Sequence, residues 1–132
     1  MIDLSNIRRA LLVAYIVVLL AVTLAPVPGS VYPPSGFDKL VHVGLFGGLA
    51  FLIMWNLGSW RRVTIVEALG VTVVAAILIE VLQGMLPFRN ADTRDFLAGT
   101  VGALLGIVLA GAARRWKHSR DSIATGERAG FD

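Results

Sequence analysis

Four apolar runs decide most of what this chain can become. They are Ala10–Ala25 (ALLVAYIVVLLAVTLA), Leu40–Leu57 (LVHVGLFGGLAFLIMWNL), Val63–Leu82 (VTIVEALGVTVVAAILIEVL) and Phe96–Ala113 (FLAGTVGALLGIVLAGAA), each 16 to 20 residues long. A helix needs roughly 17–25 apolar residues to cross a bilayer. The β-branched residues in these runs do not argue for strands, because an isolated segment in hydrocarbon must satisfy its own backbone and a helix does so. Breakers fall between the runs: Pro26, Pro28, Pro33 and Pro34, then Gly58-Ser59, then Gly84 and Pro87. The expectation is an all-α, polytopic membrane protein, a bundle of four transmembrane helices.

Composition agrees. The chain has 132 residues, 56% hydrophobic and only 16% charged, with a mean hydropathy of +0.75. An ordinary soluble domain carries about 25% charged residues, so a unit this poor in them needs lipid as its solvent. Cysteine is absent, which excludes disulfides, thiolate metal sites and cysteine nucleophiles. The first run also has the outline of a secretory signal, with Arg8-Arg9, an apolar core and Thr23-Leu24-Ala25. Pro26 directly after the supposed cut disfavours cleavage, so an uncleaved first span is expected.

The basic residues give the direction. Arg8, Arg9, Arg61, Arg62, Arg114, Arg115, Lys117, Arg120 and Arg128 fall on one side of a four-span arrangement, and only Lys39, Arg89 and Arg94 on the other. The majority side should be cytoplasmic, with both termini inside an inner (cytoplasmic) membrane. The basic tail then reads as a topology signal or a contact for anionic head groups, and nucleic acid is not expected as a partner. Residues 1–117 form the membrane domain and 118–132 a polar cytoplasmic tail, whose stretch SRDSIATGERAGFD is expected to be disordered.

With direction assigned, the costly polar residues gather at the outer rim. Asp38 and Lys39 open the second span, and His42 lies one turn deeper on the Asp38 face. Glu80 lies 18 residues beyond Arg62, about 27 Å along a helix, with Gln83 one turn on. The loop GMLPFRNADTR supplies Arg89, Asp92 and Arg94, and Asp95 opens the fourth span. Asp95, Lys39 and Arg94 have ordinary reasons to sit at helix ends, a favourable dipole or snorkelling. His42 and Glu80 do not, because an ionisable group inside a span costs at least ~2.5 kcal/mol and faces a partner or an aqueous cavity. Glu67, one turn above the inner rim, is expected to snorkel. Small residues support the gathering: Asp95, Gly99, Gly102, Gly106 and Ala110 draw one stripe on the fourth span, and Gly44 and Gly48 stand at GxxxG spacing on the second.

The ordered pattern Asp38-Lys39-x-x-His42, Glu80-x-x-Gln83, Arg89 and Asp95 followed by Gly102, with Pro26 closing the first span, resembles VanZ-like membrane proteins over nearly the whole chain. That family's association with glycopeptide (teicoplanin) resistance implies a role at the bacterial envelope, and the resemblance supplies no reaction. One departure stands out: where the family usually has asparagine, four residues after the aspartate of the fourth span, this chain has Gly99.

Three functions from different classes fit these residues. The first is binding of an anionic or lipid-linked envelope molecule at the outer leaflet, with Asp38, Lys39, Gln83, Arg89, Asp92 and Arg94 as ligand-binding candidates and the Arg89 fork suited to phosphate or carboxylate. The second is a membrane hydrolase or transferase with His42, Glu80 and Asp95 as catalytic candidates, the imidazole acting as base. Ser30, Ser35 and Thr93 lack a nucleophile motif, so water would attack directly. The third is a structural membrane subunit for a partner protein or a homo-oligomer. No cofactor is expected, and one histidine with carboxylates is a weak zinc signature, so no metal is assigned. The dry inner halves of the spans argue against a channel or proton pump.

Overall fold

The computed structural model describes residues 3–26, 36–89 and 91–129. The breakers Pro28, Pro33 and Pro34, together with Ser30 and Ser35, lie outside them. Four helices follow one another: α1 (Leu4–Leu24), α2 (Phe37–Leu57), α3 (Arg62–Gly84) and α4 (Thr93–Ala129). Among the described residues there is no strand, and all four helices contain a stretch long and apolar enough to span a membrane. Lipid-facing positions such as Val66, Val71, Val74, Leu78, Val108 and Leu109 stay exposed, as a bilayer solvent requires.

Each helix overruns its apolar run at one or both ends, because rim residues extend the turn without breaking it. Asp3 caps α1 by accepting from the Ser5 amide. α2 begins at Phe37, which places Asp38 and Lys39 in its first turn, and it ends at Gly58 in the left-handed region (φ 61°), where glycine carries no steric penalty. The largest difference from expectation is the tail. α4 continues through the polar segment to Ala129, since a helix already anchored in the bundle propagates without a new nucleation step.

Packing is dominated by α2 against α4, and glycine makes it possible. A Cβ on Gly102 would run into the Val43 carbonyl, and one on Gly106 into the Gly47 carbonyl. The two backbones therefore touch, as small residues allow in lipid. The stripe on α4 faces inward as expected: Asp95, Gly99, Gly102, Gly106 and Ala110 are all buried. On α2 the expectation needs correction. Gly47, not the Gly44/Gly48 pair, meets α4. Gly44 is open to its surroundings, and Gly48 leaves room for Tyr15 of α1, whose hydroxyl donates to the Leu45 carbonyl (2.9 Å).

The core has two levels. Ala50, Met54, Ala68, Ala103, Ile107 and Ala110 fill one, and Leu19, Phe46, Leu49, Ala76 and Ile79 the other. Beyond the first level lies a basic, aromatic end. There Arg8 stacks on Trp55 and Arg114 on Trp60, and the Asn56 amide donates to the Arg8 carbonyl (3.2 Å). Beyond the second level lies an acidic end. Glu67 is exposed, consistent with a snorkelling side chain.

Candidate functional site at the acidic end

Three helices deliver the buried polar groups. His42 comes from the second turn of α2, Glu80 from the last turns of α3, and Asp95 from the first turn of α4; they are 5%, 9% and 7% exposed. His42 Nε2 lies 3.6 Å from Glu80 Oε1. One ligand-type atom from each of the three lies within 4.8 Å of the other two. The catalytic candidates chosen from the sequence are thus brought together.

Their outer atoms are held. His42 Nδ1 lies 2.9 Å from the Asp38 carbonyl. A carbonyl only accepts, so Nδ1 carries the hydrogen; in a neutral ring the lone pair is then on Nε2, which faces inward toward Glu80. Glu80 Oε2 accepts from the Asp92 amide (3.0 Å), which ties α3 to the loop entering α4. Phe46, one turn below His42, stacks on the imidazole with centroids 6.0 Å apart. Its ring also fills the space beside Gly99, where any Cβ would press on it at 2.8 Å. An asparagine at this position has no room unless Phe46 moves.

Lys39 bridges the rim. Its ammonium lies 3.1 Å from Asp38, 3.6 Å from Asp92 and 3.4 Å from Asp95. Asp92 also accepts from the Arg94 amide (2.9 Å) and so caps the start of α4. Arg94 is exposed. A cavity of about 230 Å³ opens between α3 and α4, lined by Ile77, Glu80, Val81, Ala91, Thr93 and Phe96. Ile77 and Val81 are exposed toward lipid, so the opening faces the acyl region beside Glu80.

Two ligand-binding candidates do other work. The Gln83 amide is buried and donates to the Thr23 carbonyl (2.8 Å). Arg89 donates to the Ala25 carbonyl (2.9 Å) and to that of Val22 (3.4 Å). Both bind the end of α1, where carbonyls lack helical partners and the dipole favours a cation. One Arg89 nitrogen thus clasps the end of α1, while Nε is buried without a hydrogen-bond partner. Sequence reasoning missed Phe46, whose signal was its spacing of four from His42, and Thr93 as a cavity wall.

Comparison with known proteins adds the family. No curated protein and no solved structure matches the chain. The family model described as VanZ/LLP1 matches residues 11–114, a segment that contains every residue placed in the site above. The chain is a multi-pass membrane protein of the VanZ/LLP1 family.

Proposed function

We propose that this protein lies in the cytoplasmic membrane with its acidic end outward, and there takes the polar head of an anionic or lipid-linked envelope molecule. The observation that carries this reading is the cavity between α3 and α4, with Glu80 in its wall and Ile77 and Val81 on its lipid-facing side. Such an opening suits a molecule with an apolar tail and a polar head. Lys39 and Arg94 are the rim cations that meet phosphate or carboxylate, and deeper in His42 Nε2 and the Glu80 carboxylate accept hydrogen bonds from hydroxyl or protonated groups of the head. The VanZ resemblance brings glycopeptide tolerance into this reading as its physiological setting.

The test is retention of a head group. Protein in nanodiscs containing undecaprenyl phosphate and phosphatidylglycerol should retain the former through purification, and Glu80→Gln should lose most of it while accumulating normally. Equal retention by both proteins contradicts the reading.

A hydrolase or transferase is a second reading, favoured by the His42 ring, whose tautomer leaves a lone pair beside two carboxylates. Turnover of an undecaprenyl- or phospholipid-type substrate by purified protein supports it. Tight binding without product removes it.

A further inference from the structure

Buried polar groups almost always have partners, and at the acidic end four side-chain atoms do not: Arg89 Nε, beside the end of α1, and three atoms of the inner cluster. Among the described residues, His42 Nε2, Glu80 Oε1 and Asp95 Oδ1 are buried and make no hydrogen bond, although Asp95 Oδ1 is ion-paired with the Lys39 ammonium at 3.4 Å. They belong to residues of three different helices, and one ligand-type atom from each residue lies within 4.8 Å of the other two. The 3.6 Å between Nε2 and Oε1 is too long for a hydrogen bond. Two of the three side chains are also anchored from behind, His42 through Nδ1 to the Asp38 carbonyl and Glu80 through Oε2 to the Asp92 amide. A ligating histidine characteristically donates its other ring N–H to a backbone carbonyl in this way, and a ligating carboxylate is characteristically hydrogen-bonded through its free oxygen.

Charge points in the same direction. Asp38, Asp92 and Asp95 already share Lys39, and Glu80 adds a fourth carboxylate, so the cluster carries more negative than positive charge. A phosphate or carboxylate head group entering it meets repulsion unless a cation is already there.

We propose that His42 Nε2, Glu80 Oε1 and Asp95 Oδ1 bind one divalent first-row cation, Mn²⁺ or Zn²⁺. One imidazole with two carboxylates is a mixed nitrogen and oxygen set that suits these ions better than Ca²⁺ or Mg²⁺, which prefer oxygen alone. Ligand atoms about 2.0–2.2 Å from a shared ion sit roughly 3.0–3.5 Å from one another, and the His42–Glu80 separation is already close to that. Asp95 completes the set by a side-chain rotation away from Lys39. Three protein ligands leave coordination positions open, as in metal sites that receive water or a substrate oxygen. The cation also resolves the repulsion, because a head-group oxygen can occupy an open position. Binding of the ion itself needs no lipid and does not rest on the head-group reading.

The test uses the full chain purified in detergent without added lipid, stripped with EDTA and titrated with Mn²⁺ under electron paramagnetic resonance. About one Mn²⁺ per chain should bind, and pulsed spectra should show a ¹⁴N coupling from the imidazole. Glu80→Gln and Asp95→Asn keep side-chain shape and should each weaken binding by at least about tenfold. His42→Ala should abolish the nitrogen coupling, and Glu67→Gln, at the opposite end, should bind like wild type. Circular dichroism confirms that each variant keeps its helices. Folded wild-type protein that binds neither Mn²⁺ nor Zn²⁺ overturns the proposal, and so does equal binding by Glu80→Gln and Asp95→Asn. A protein that binds the ion but retains no lipid-linked head group upholds this site and removes the head-group reading instead.

Discussion

His42 on α2 and Glu80 on α3 face one another at 3.6 Å between Nε2 and Oε1, each held from behind by a backbone group of the rim. Neither residue has a reason to lie inside a span by itself, and each supplies the reason for the other. Groups that act as a unit give non-additive losses. His42→Ala and Glu80→Gln should each reduce head-group retention, and the double variant should lose little more than either single one. Losses that multiply across the two would mean that the residues act separately.

Gln83 and Arg89 should behave as structural residues. Gln83→Ala leaves the buried Thr23 carbonyl without its donor, a loss of about 1–3 kcal/mol. Arg89→Ala removes two bonds to the end of α1 and should lower accumulation in membranes. Thermal unfolding in detergent checks both. The protein that survives should retain head group per folded molecule at nearly the wild-type level, whereas a direct role in binding would show as lost retention with unchanged stability.

The α2–α4 contact makes a sharp contrast among glycines. Gly102→Ala drives a methyl into the Val43 backbone, which cannot yield as a side chain can, and should destabilise by about 1–3 kcal/mol. Gly70→Ala meets nothing within 4 Å and should be harmless. Equal melting temperatures for the two variants would contradict the close backbone approach.

Gly99 carries a prediction about the family's asparagine. Gly99→Asn should destabilise the protein because its Cβ presses on the buried Phe46 ring. In a Phe46→Ala background the same substitution should cost much less, which a double-mutant cycle of melting temperatures measures. Additive losses would show that the two positions do not compete for one volume.

The spans were legible because the membrane leaves few alternatives: length and hydropathy alone mark four helices, and the small-residue stripe from Asp95 to Ala110 marks the inward face of α4. The convergence of His42, Glu80 and Asp95 followed from depth along each helix. Rotation did not follow. GxxxG spacing singles out Gly44 and Gly48, but the partner of α4 is Gly47, a neighbour on a different face, and Tyr15 occupies the space beside Gly48. Nor could the sequence show that Gln83 and Arg89 serve α1, because their acceptors are backbone carbonyls, which every residue has. The polar composition of the tail argued for disorder, yet α4 runs on to Ala129, since continuing an anchored helix needs no new nucleus.

The acidic end, where the polar site gathers, is proposed to face outward, and accessibility from the two sides of the membrane decides this. The chain has no cysteine, so single cysteines can be introduced without background. In intact cells a membrane-impermeant maleimide should label Arg94→Cys at the acidic end, and should label Ser119→Cys only after permeabilisation. Labelling of Ser119→Cys from outside, with Arg94→Cys reached only from the cell interior, would contradict the account.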